Sequence, residues 1–196
     1  MKPFSAACQN NRDPILAVIE PLFSNFKHIL EIGSGTGQHA VYFAEKMPHL
    51  IWHTSDQLAN HEAILQWVDD AGLANVKSPL VLDVTQTPWP KLSVDAVFSA
   101  NTTHIMSWES VELFFAGAGT LLSPGGLLLL YGPFNYGGRY TSNSNSAFDL
   151  WLKERDPLSG IRNFESLCEL AETHGMQFRQ DNEMPANNRI LSWLKT

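Results

Sequence analysis

Glu31 stands two residues ahead of three alternating glycines, Gly33, Gly35 and Gly37, with Ser34 and Thr36 between them. Glycine is needed where the backbone takes φ > 0, or comes so close to a ligand that a Cβ would clash. Such a turn lets a nucleotide-like ligand lie against bare backbone. The dinucleotide fingerprint is G-x-G-x-x-G; here its third glycine position is Gln38, and the glycine falls one residue earlier. Other polar residues follow apolar runs in the same way. Asp56 lies about 20 residues beyond the glycines, where a carboxylate can accept both hydroxyls of a ribose, and Gln57 follows it; capping a helix over 58–71 is the alternative for Asp56. Asp83-Val84 ends another run, with a turn before Thr85 as the alternative. Asn101 ends the next. His104 titrates near neutrality and is the best general-base candidate, with a loop histidine satisfied by backbone as the alternative. Asn101 and Tyr131 join it as candidates for the reacting end.

The elements that must hold these residues are legible from period and punctuation. Asp13-Pro14 reads as an N-cap and a first helical residue, opening a helix to about Phe23. Strands are expected at 28–33, 50–55, 76–83, 94–100 and 127–132, and helices at 38–47, 58–71 and 107–122. Gly72 suits the position after a helix, and Ser123-Pro124-Gly125-Gly126 reads as a turn. Strands alternating with helices predict a doubly wound, mostly parallel sheet. Ligands of such sheets sit at the carboxyl ends of the strands, near the switch point, where Glu31, Asp56, Asp83 and Asn101 fall. The end of the chain differs. Asn163 reads as the cap of a helix that stops at Gly175, and strands at 176–183 and 189–194 are joined by Met184-Pro185-Ala186-Asn187-Asn188. So short a link permits only a hairpin, so the last strand is antiparallel. The expected fold is α/β: one Rossmann-like domain over 1–196, seven strands with the last one reversed, and a leader and helix at 1–27.

Residues 132–162 form a long connection after the fifth strand, and connections this long are usually lids or binding loops. A short helix is expected at about 145–153. Phe134, Tyr136, Phe148 and Asp149 supply aromatic and polar groups. Arg139 and Arg162, with Arg155, could clamp a carboxylate or phosphate; separate salt bridges with Asp149, Glu154 and Asp156 are the alternative. The expected strand directions put the hairpin link at the same sheet edge, so Asn187 and Asn188 become pocket residues, with ordinary turn chemistry as the alternative.

Composition narrows the class. The net charge is −7 over 196 residues with no lysine or arginine run, which argues against a broad nucleic-acid surface. Cys8 and Cys168 lack metal or redox spacing, so no metal is expected and the thiols read as reduced in a cytoplasmic protein. The start lacks an apolar signal core, and the run Leu127–Tyr131 is too short to span a bilayer. Oligomeric state is not legible.

Glu31 with the G-x-G-x-G spacing resembles motif I of class I S-adenosylmethionine-dependent methyltransferases. The resemblance implies that the acid contacts the cofactor's methionine ammonium, directly or through water, that the glycines and Ser34 leave room for it, and that no pyrophosphate site is required. It implies that Asp83 accepts from the adenine amino group while Val84 packs on the ring, that Asn101 faces the methionine end, and that a leader folds over the cofactor, where Arg12 could meet the carboxylate. The Asn/Asp-Pro-Pro-aromatic pattern of amino-methylating nucleic-acid enzymes is missing from Asn101-Thr102-Thr103-His104. Along nearly its whole length the chain also resembles methyltransferase-like protein 26 and its bacterial relatives. The shared stretches are Asn11–Leu16, Leu30–His39, Asn101–Ile105, Tyr131–Phe134, Ser144–Asp149, Gly160–Arg162 and Met184–Asn188. The expected activity is transfer of a methyl group from S-adenosyl-L-methionine to a small polar acceptor. The alternatives are a protein or RNA methyltransferase working with a partner, or a cofactor-binding module without turnover.

Overall fold

The computed structural model describes residues 2–196. In chain order the elements are α1 (Ala6–Phe23), β1 (His28–Ile32), α2 (Gln38–Lys46), β2 (Ile51–Asp56), α3 (His61–Ala71), β3 (Val76–Val81), β4 (Val94–Ala100), α4 (Trp108–Leu121) and β5 (Leu122–Gly132). They continue with β6 (Phe134–Asn135), α5 (Asn143–Arg155), β7 (Arg162–Asn163), α6 (Phe164–Thr173), β8 (Met176–Met184) and β9 (Asn188–Lys195). Seven strands form one sheet in the order β3-β2-β1-β4-β5-β9-β8, and β6 pairs with β7 separately. Every pair from β3 to β5 is parallel, while β9 is antiparallel to both neighbours. The fold is therefore the expected doubly wound sheet with a reversed last strand.

Strand alternation divides the apolar side chains between two faces. Ile29, Trp52, Phe98, Leu127 and Leu129 pack under Ile15, Ile19 and Phe23 of α1 and Phe43 of α2. Leu30, Val97, Leu128, Leu130 and Trp193 pack on Val111, Phe114 and Phe115 of α4 and Leu167 of α6. Glu31 has the parity of Ile29, so its carboxylate is delivered to the first face, where Trp52 lies.

Several boundaries differ from expectation. Helix α1 begins at Ala6, two turns before Asp13, because Ser5 caps it by accepting from Cys8 N at 3.3 Å. Pro14 and Pro21 lie inside it; each lacks one N–H but leaves the flanking turns intact. Residues 6–13 show no apolar stripe at helical spacing, so periodicity could not find them. The expected helix over 58–71 is a 3₁₀ turn, Leu58–Asn60, followed by α3, and β3 stops at Val81, leaving Asp83-Val84 on the following loop. Residues 123–126 lie within β5 at a register irregularity rather than ahead of it. The Asn163 side chain makes no capping bond to α6, and the residue belongs to β7. No described helix is long and apolar enough to cross a membrane.

The order of connection reverses between β1 and β4, the switch point at which ligands bind. The turns after these two strands meet there. Ser99 Oγ donates to Ile32 O at 2.6 Å and lies 2.6 Å from Thr102 Oγ1, and Gly33 N and Ser34 N both donate to Ser55 O at 3.0 Å. Gly33 has φ +75, and a Cβ placed on it would overlap Thr102 Cγ2. Gly33→Ala is expected to destabilise the fold by about 2–4 kcal/mol, combining overpacking with left-handed strain. Urea unfolding checks this; a loss below about 0.5 kcal/mol would show that the two turns can separate freely.

Candidate functional site: a cleft at the switch point and a neighbouring cavity

A cleft of about 950 Å³ opens over the switch point. Gly33, Ser34, Gly35, Asp56, Gln57, Asp83, Val84 and Asn101 all line it, so the structure brings together most of the residues expected to hold a cofactor. The three glycines do different things. Gly33 makes room for Thr102. Gly37 (φ +86) makes room for α3, since a Cβ there would lie 3.2 Å from the Ile64 backbone. Gly35 (φ +59) faces open space, with nothing within 4 Å of a Cβ. At Gly35, then, the bare backbone is presented to the cleft rather than to the protein.

Asp56 is nearly buried and already works within the turn. Its Oδ2 accepts from Gly35 N at 2.8 Å, and its Oδ1 accepts from Gln57 N and Asn60 Nδ2, both at 2.8 Å. A carboxylate has about four acceptor sites, so one remains on Oδ2. Asp83 Oδ1 accepts from Thr85 N and Oγ1 at 2.9 and 2.7 Å, the turn chemistry that was its alternative, while the residue still faces the cleft. Glu31 lies one layer beneath the turn, 1 % exposed. Burial pushes its carboxyl up to about 7, against a hydrogen bond from Trp52 Nε1 at 3.1 Å. A buried carboxylate without a cation favours its neutral form.

The leader does cover the cleft, through α1 and not through Arg12. Ser5 and Cys8 form part of the wall. Ser5 N donates to Gln38 Oε1, and Gln38 Nε2 donates back to Ser5 O at 3.4 Å. Because the helix already runs through residue 12, its phase turns Asn11 inward and Arg12 outward. Asn11 Oδ1 lies 2.7 Å from Nε2 of His39, and His39 lines the cleft. Burial lowers the His39 imidazole to about 4. Arg12 instead stacks over Tyr42 with its guanidinium 4.4 Å from the ring centroid.

A second cavity of about 510 Å³ adjoins the first and shares Asn101 and Ala7 with it. Tyr131, Phe148, Asn187 and Asn188 line it as expected, together with Asn10, Asn11 and Asn145. Burial raises the Tyr131 hydroxyl above its ordinary value, opposed by a hydrogen bond from Asn11. Among the described residues Asn101, Ala186 and Asn187 are the non-glycine residues with positive φ, near 60°, and all three line this cavity. Backbone held in that region costs free energy and is concentrated at functional sites.

Other expected site residues are placed elsewhere. His104 lines neither cavity. It is buried behind Asn101 and Phe148, whose ring centroid is 5.3 Å away, with Nδ1 lacking a partner. Burial first, then the Arg162 charge, lowers its imidazole to about 4. Arg162 does not reach a ligand: it donates to Thr103 O and Leu158 O at 3.0 Å and to Met106 O, bracing the loop after β4. Arg139 is exposed at a turn, and Arg155 lies 4.4 Å over Trp151, so the three arginines form no clamp. Asp149 is buried in the excursion and accepts from Lys153 at 2.6 Å, Ile161 N at 2.6 Å and Tyr140 at 2.7 Å. Burial alone would raise its carboxyl, but these bonds hold it below the ordinary value. Phe134 is fully buried, and Tyr136 donates to Asp181 at 2.7 Å, away from both cavities. The residues that sequence reasoning missed are Asn10, Asn11, His39 and Asn145. For the three asparagines the signal was the recurrence of that residue type in segments that the topology brings to one edge.

The sequence model of a family described as "Protein of unknown function (DUF938)" matches residues 2–195. Among solved structures, an O-methyltransferase family protein from Burkholderia thailandensis superposes with TM-score 0.83 at 14% identity, over 94% of this chain and 56% of that one. The apo form of the S-adenosylmethionine-dependent methyltransferase SibL gives 0.82 at 22% identity, over 97% and 56%. NcsB1, an O-methyltransferase of neocarzinostatin biosynthesis solved with S-adenosylmethionine and 2-hydroxy-5-methyl naphthoic acid, gives 0.81 at 15%, over 97% and 55%. The chain thus has the fold of these methyltransferases and spans a little over half their length.

The buried titratable groups set an acid dependence of stability. Unfolded, His39 and His104 bind protons near pH 6.5; folded, only near pH 4. Between these values the unfolded chain holds more protons, so their contribution makes stability rise with pH. Glu31 acts oppositely between its unfolded value of 4.5 and its folded value of about 7. Two imidazoles outweigh one carboxyl, so the melting temperature is expected to climb from about pH 4.5 to 6.5. Glu31→Gln steepens the climb and His104→Asn flattens it. Calorimetric melting across this range checks the sign, and a falling profile would contradict it.

Proposed function

This chain belongs to the family described as "Protein of unknown function (DUF938)", and we propose that it transfers a methyl group from S-adenosyl-L-methionine to a small polar acceptor. The observation that carries this reading is the meeting of Gly35, Asp56, Asp83-Val84 and Asn101 around one cleft that adjoins a second cavity at Asn101. The structural likeness to small-molecule methyltransferases supports it. So do the stretches resembling methyltransferase-like protein 26, since Asn101, Tyr131, Ser144, Phe148 and the 185–188 turn fall on the second cavity.

The residues fit the cofactor chemically. Gly35 leaves the space that a Cβ would fill. Asp56 has an acceptor site left for ribose hydroxyls, and Asp83 with Val84 suits an adenine edge and face. Glu31 does not line the cleft; from beneath the turn its charge would act on an ammonium group through the field or a bridging water, which favours its ionised form. At the third glycine position of a dinucleotide site, Gln38 is bonded to the chain's own Ser5, which opposes a pyrophosphate there. When bound, the cofactor supplies an electrophilic methyl group for in-line displacement. The chain's contribution is then mainly orientation: Asn101 stands where the cavities meet, and Tyr131 lies on the acceptor side with its phenol protonated. His104, neutral and buried, acts as a support behind Asn101. In this reading residues 1–196 work as one methyltransferase unit, with 132–162 on the acceptor side.

Calorimetric titration tests the cofactor. S-adenosylmethionine and S-adenosylhomocysteine are expected to bind and NAD is not. Gly35→Ala and Asp56→Ala should each weaken binding by about tenfold or more, equivalent to about 1.4 kcal/mol. Binding of NAD alone, or of none of the three, would overturn the reading. A linked effect follows from Glu31. At about pH 6.5, ionising its carboxyl against the ammonium releases protons, so the apparent binding enthalpy should vary with the buffer's ionisation enthalpy. That dependence should vanish in Glu31→Gln; an unchanged dependence would remove Glu31 from the contact.

A further inference from the structure

We propose that the second cavity selects an uncharged acceptor: a molecule with carboxamide, hydroxyl or heterocyclic nitrogen groups on a flat apolar frame, bearing no carboxylate, phosphate or ammonium. This rests on the assignment of that cavity to the acceptor.

Among the described residues no Asp, Glu, Lys, Arg or His lines the cavity, whereas Asn10, Asn11, Asn101, Asn145, Asn187 and Asn188 do. Each carboxamide offers donors and an acceptor together. A set of them complements neutral groups that also carry both, and leaves any ionic ligand without a counter-charge. Removing an ion from water without a partner of opposite sign is costly, whereas a neutral amide exchanges water bonds for equivalent ones.

The asparagines are in part arranged and in part free. Asn145 Nδ2 donates to Thr141 Oγ1 at 2.9 Å and to Asn187 O at 3.1 Å, and Asn187 Nδ2 donates to Ser144 Oγ at 3.2 Å. These bonds tie the hairpin tip to α5 and hold the strained turn against the cavity, while leaving the carboxamide oxygens of both residues open. The described structure gives Asn101 no side-chain partner, and its positive φ keeps it at the junction with the cleft. Phe148 supplies an apolar face, itself stacked on Trp151 at 5.7 Å.

Three cations of the surrounding elements are committed elsewhere, while Arg12 lies outside the cavity, over the Tyr42 ring. Lys153 is held by Asp149, Arg189 by Asp181 at 2.7 Å and Glu183 at 3.0 Å, and Arg162 by three carbonyls. Recruiting one for an anionic acceptor would break a formed pair or unbrace the loop after β4.

Uniformly ¹⁵N-labelled full-length protein tests this by heteronuclear correlation spectra, with three probes of one shape: nicotinamide, nicotinate and 3-(aminomethyl)pyridine. The Asn101 and Asn187 side-chain signals are identified by loss in Asn101→Ala and Asn187→Ala. Nicotinamide is expected to shift these signals with an affinity about tenfold or more above that of either charged probe, a difference of about 1.4 kcal/mol. Asn10→Lys, an exposed position, should raise nicotinate binding at the same signals. Equal or stronger shifts from a charged probe, or no shift from any probe at millimolar concentration, would overturn the proposal. S-adenosylhomocysteine added to the same samples reads the Gly35 amide separately. Failure there would overturn the methyltransferase reading while the charge preference of the cavity is still measured.

Discussion

The close approach of two turns at Gly33 and Thr102 is the constraint on which the site depends. The turn after β1 can lie against the turn after β4 only because residue 33 has no side chain. The contact is locked by Ser99, which bonds Ile32 and lies within hydrogen-bond distance of Thr102, and by Ser55, whose carbonyl takes two successive amides of the glycine turn. To enter this arrangement the chain leaves β4 through Asn101 at φ 60. The residue that joins the switch-point cleft to the second cavity is therefore placed by the packing of the two turns. Close-packed interiors transmit such demands over several residues.

The N-terminal helix completes what the sheet edge begins. Capped at Ser5, it reaches far enough to wall both cavities, and Ala7 belongs to each. Gln38 pins that end, while Asn11 and His39 meet behind it in a buried polar contact. The same helix buries Ile15, Ile19 and Phe23 on the sheet, so the cover over the cleft is anchored by apolar burial further along its length. Disturbing the leader and disturbing the core are linked for that reason.

The excursion over 132–162 shows how charge can be present near a site without serving it. The buried Asp149 gathers Tyr140, Lys153 and an Ile161 amide into one knot that ties α5 to the approach to β7. Arg162 spends its guanidinium on carbonyls across that approach. Low local dielectric makes such satisfied groups strong structural ties and makes unpaired ones costly. Asp149, Lys153 and Arg162 are consumed in holding the loop's shape, and the surface turned toward the second cavity is left to carboxamides, a phenol, prolines and Phe148.

The sheet, its switch point, the reversed last strand and most of the residues lining the cleft were legible in the sequence because each rests on a local pattern: alternation in a strand, glycine where backbone must bend or approach, and a link too short for anything but a hairpin. The boundaries of α1 were not legible, since its first two turns carry no apolar stripe and its cap lies nine residues before the proline that looked like a start. Which of two neighbours faced the second cavity, Asn11 or Arg12, depended on that helix phase. Whether Asp149, Arg139 and Arg162 met a ligand or one another depended on partners distant in sequence. Residue types and their spacing therefore determined which chemistry the strand ends can present. Only the tertiary structure decided which polar groups are already satisfied within the protein and which remain free, because that depends on side chains meeting across elements and no local pattern records it.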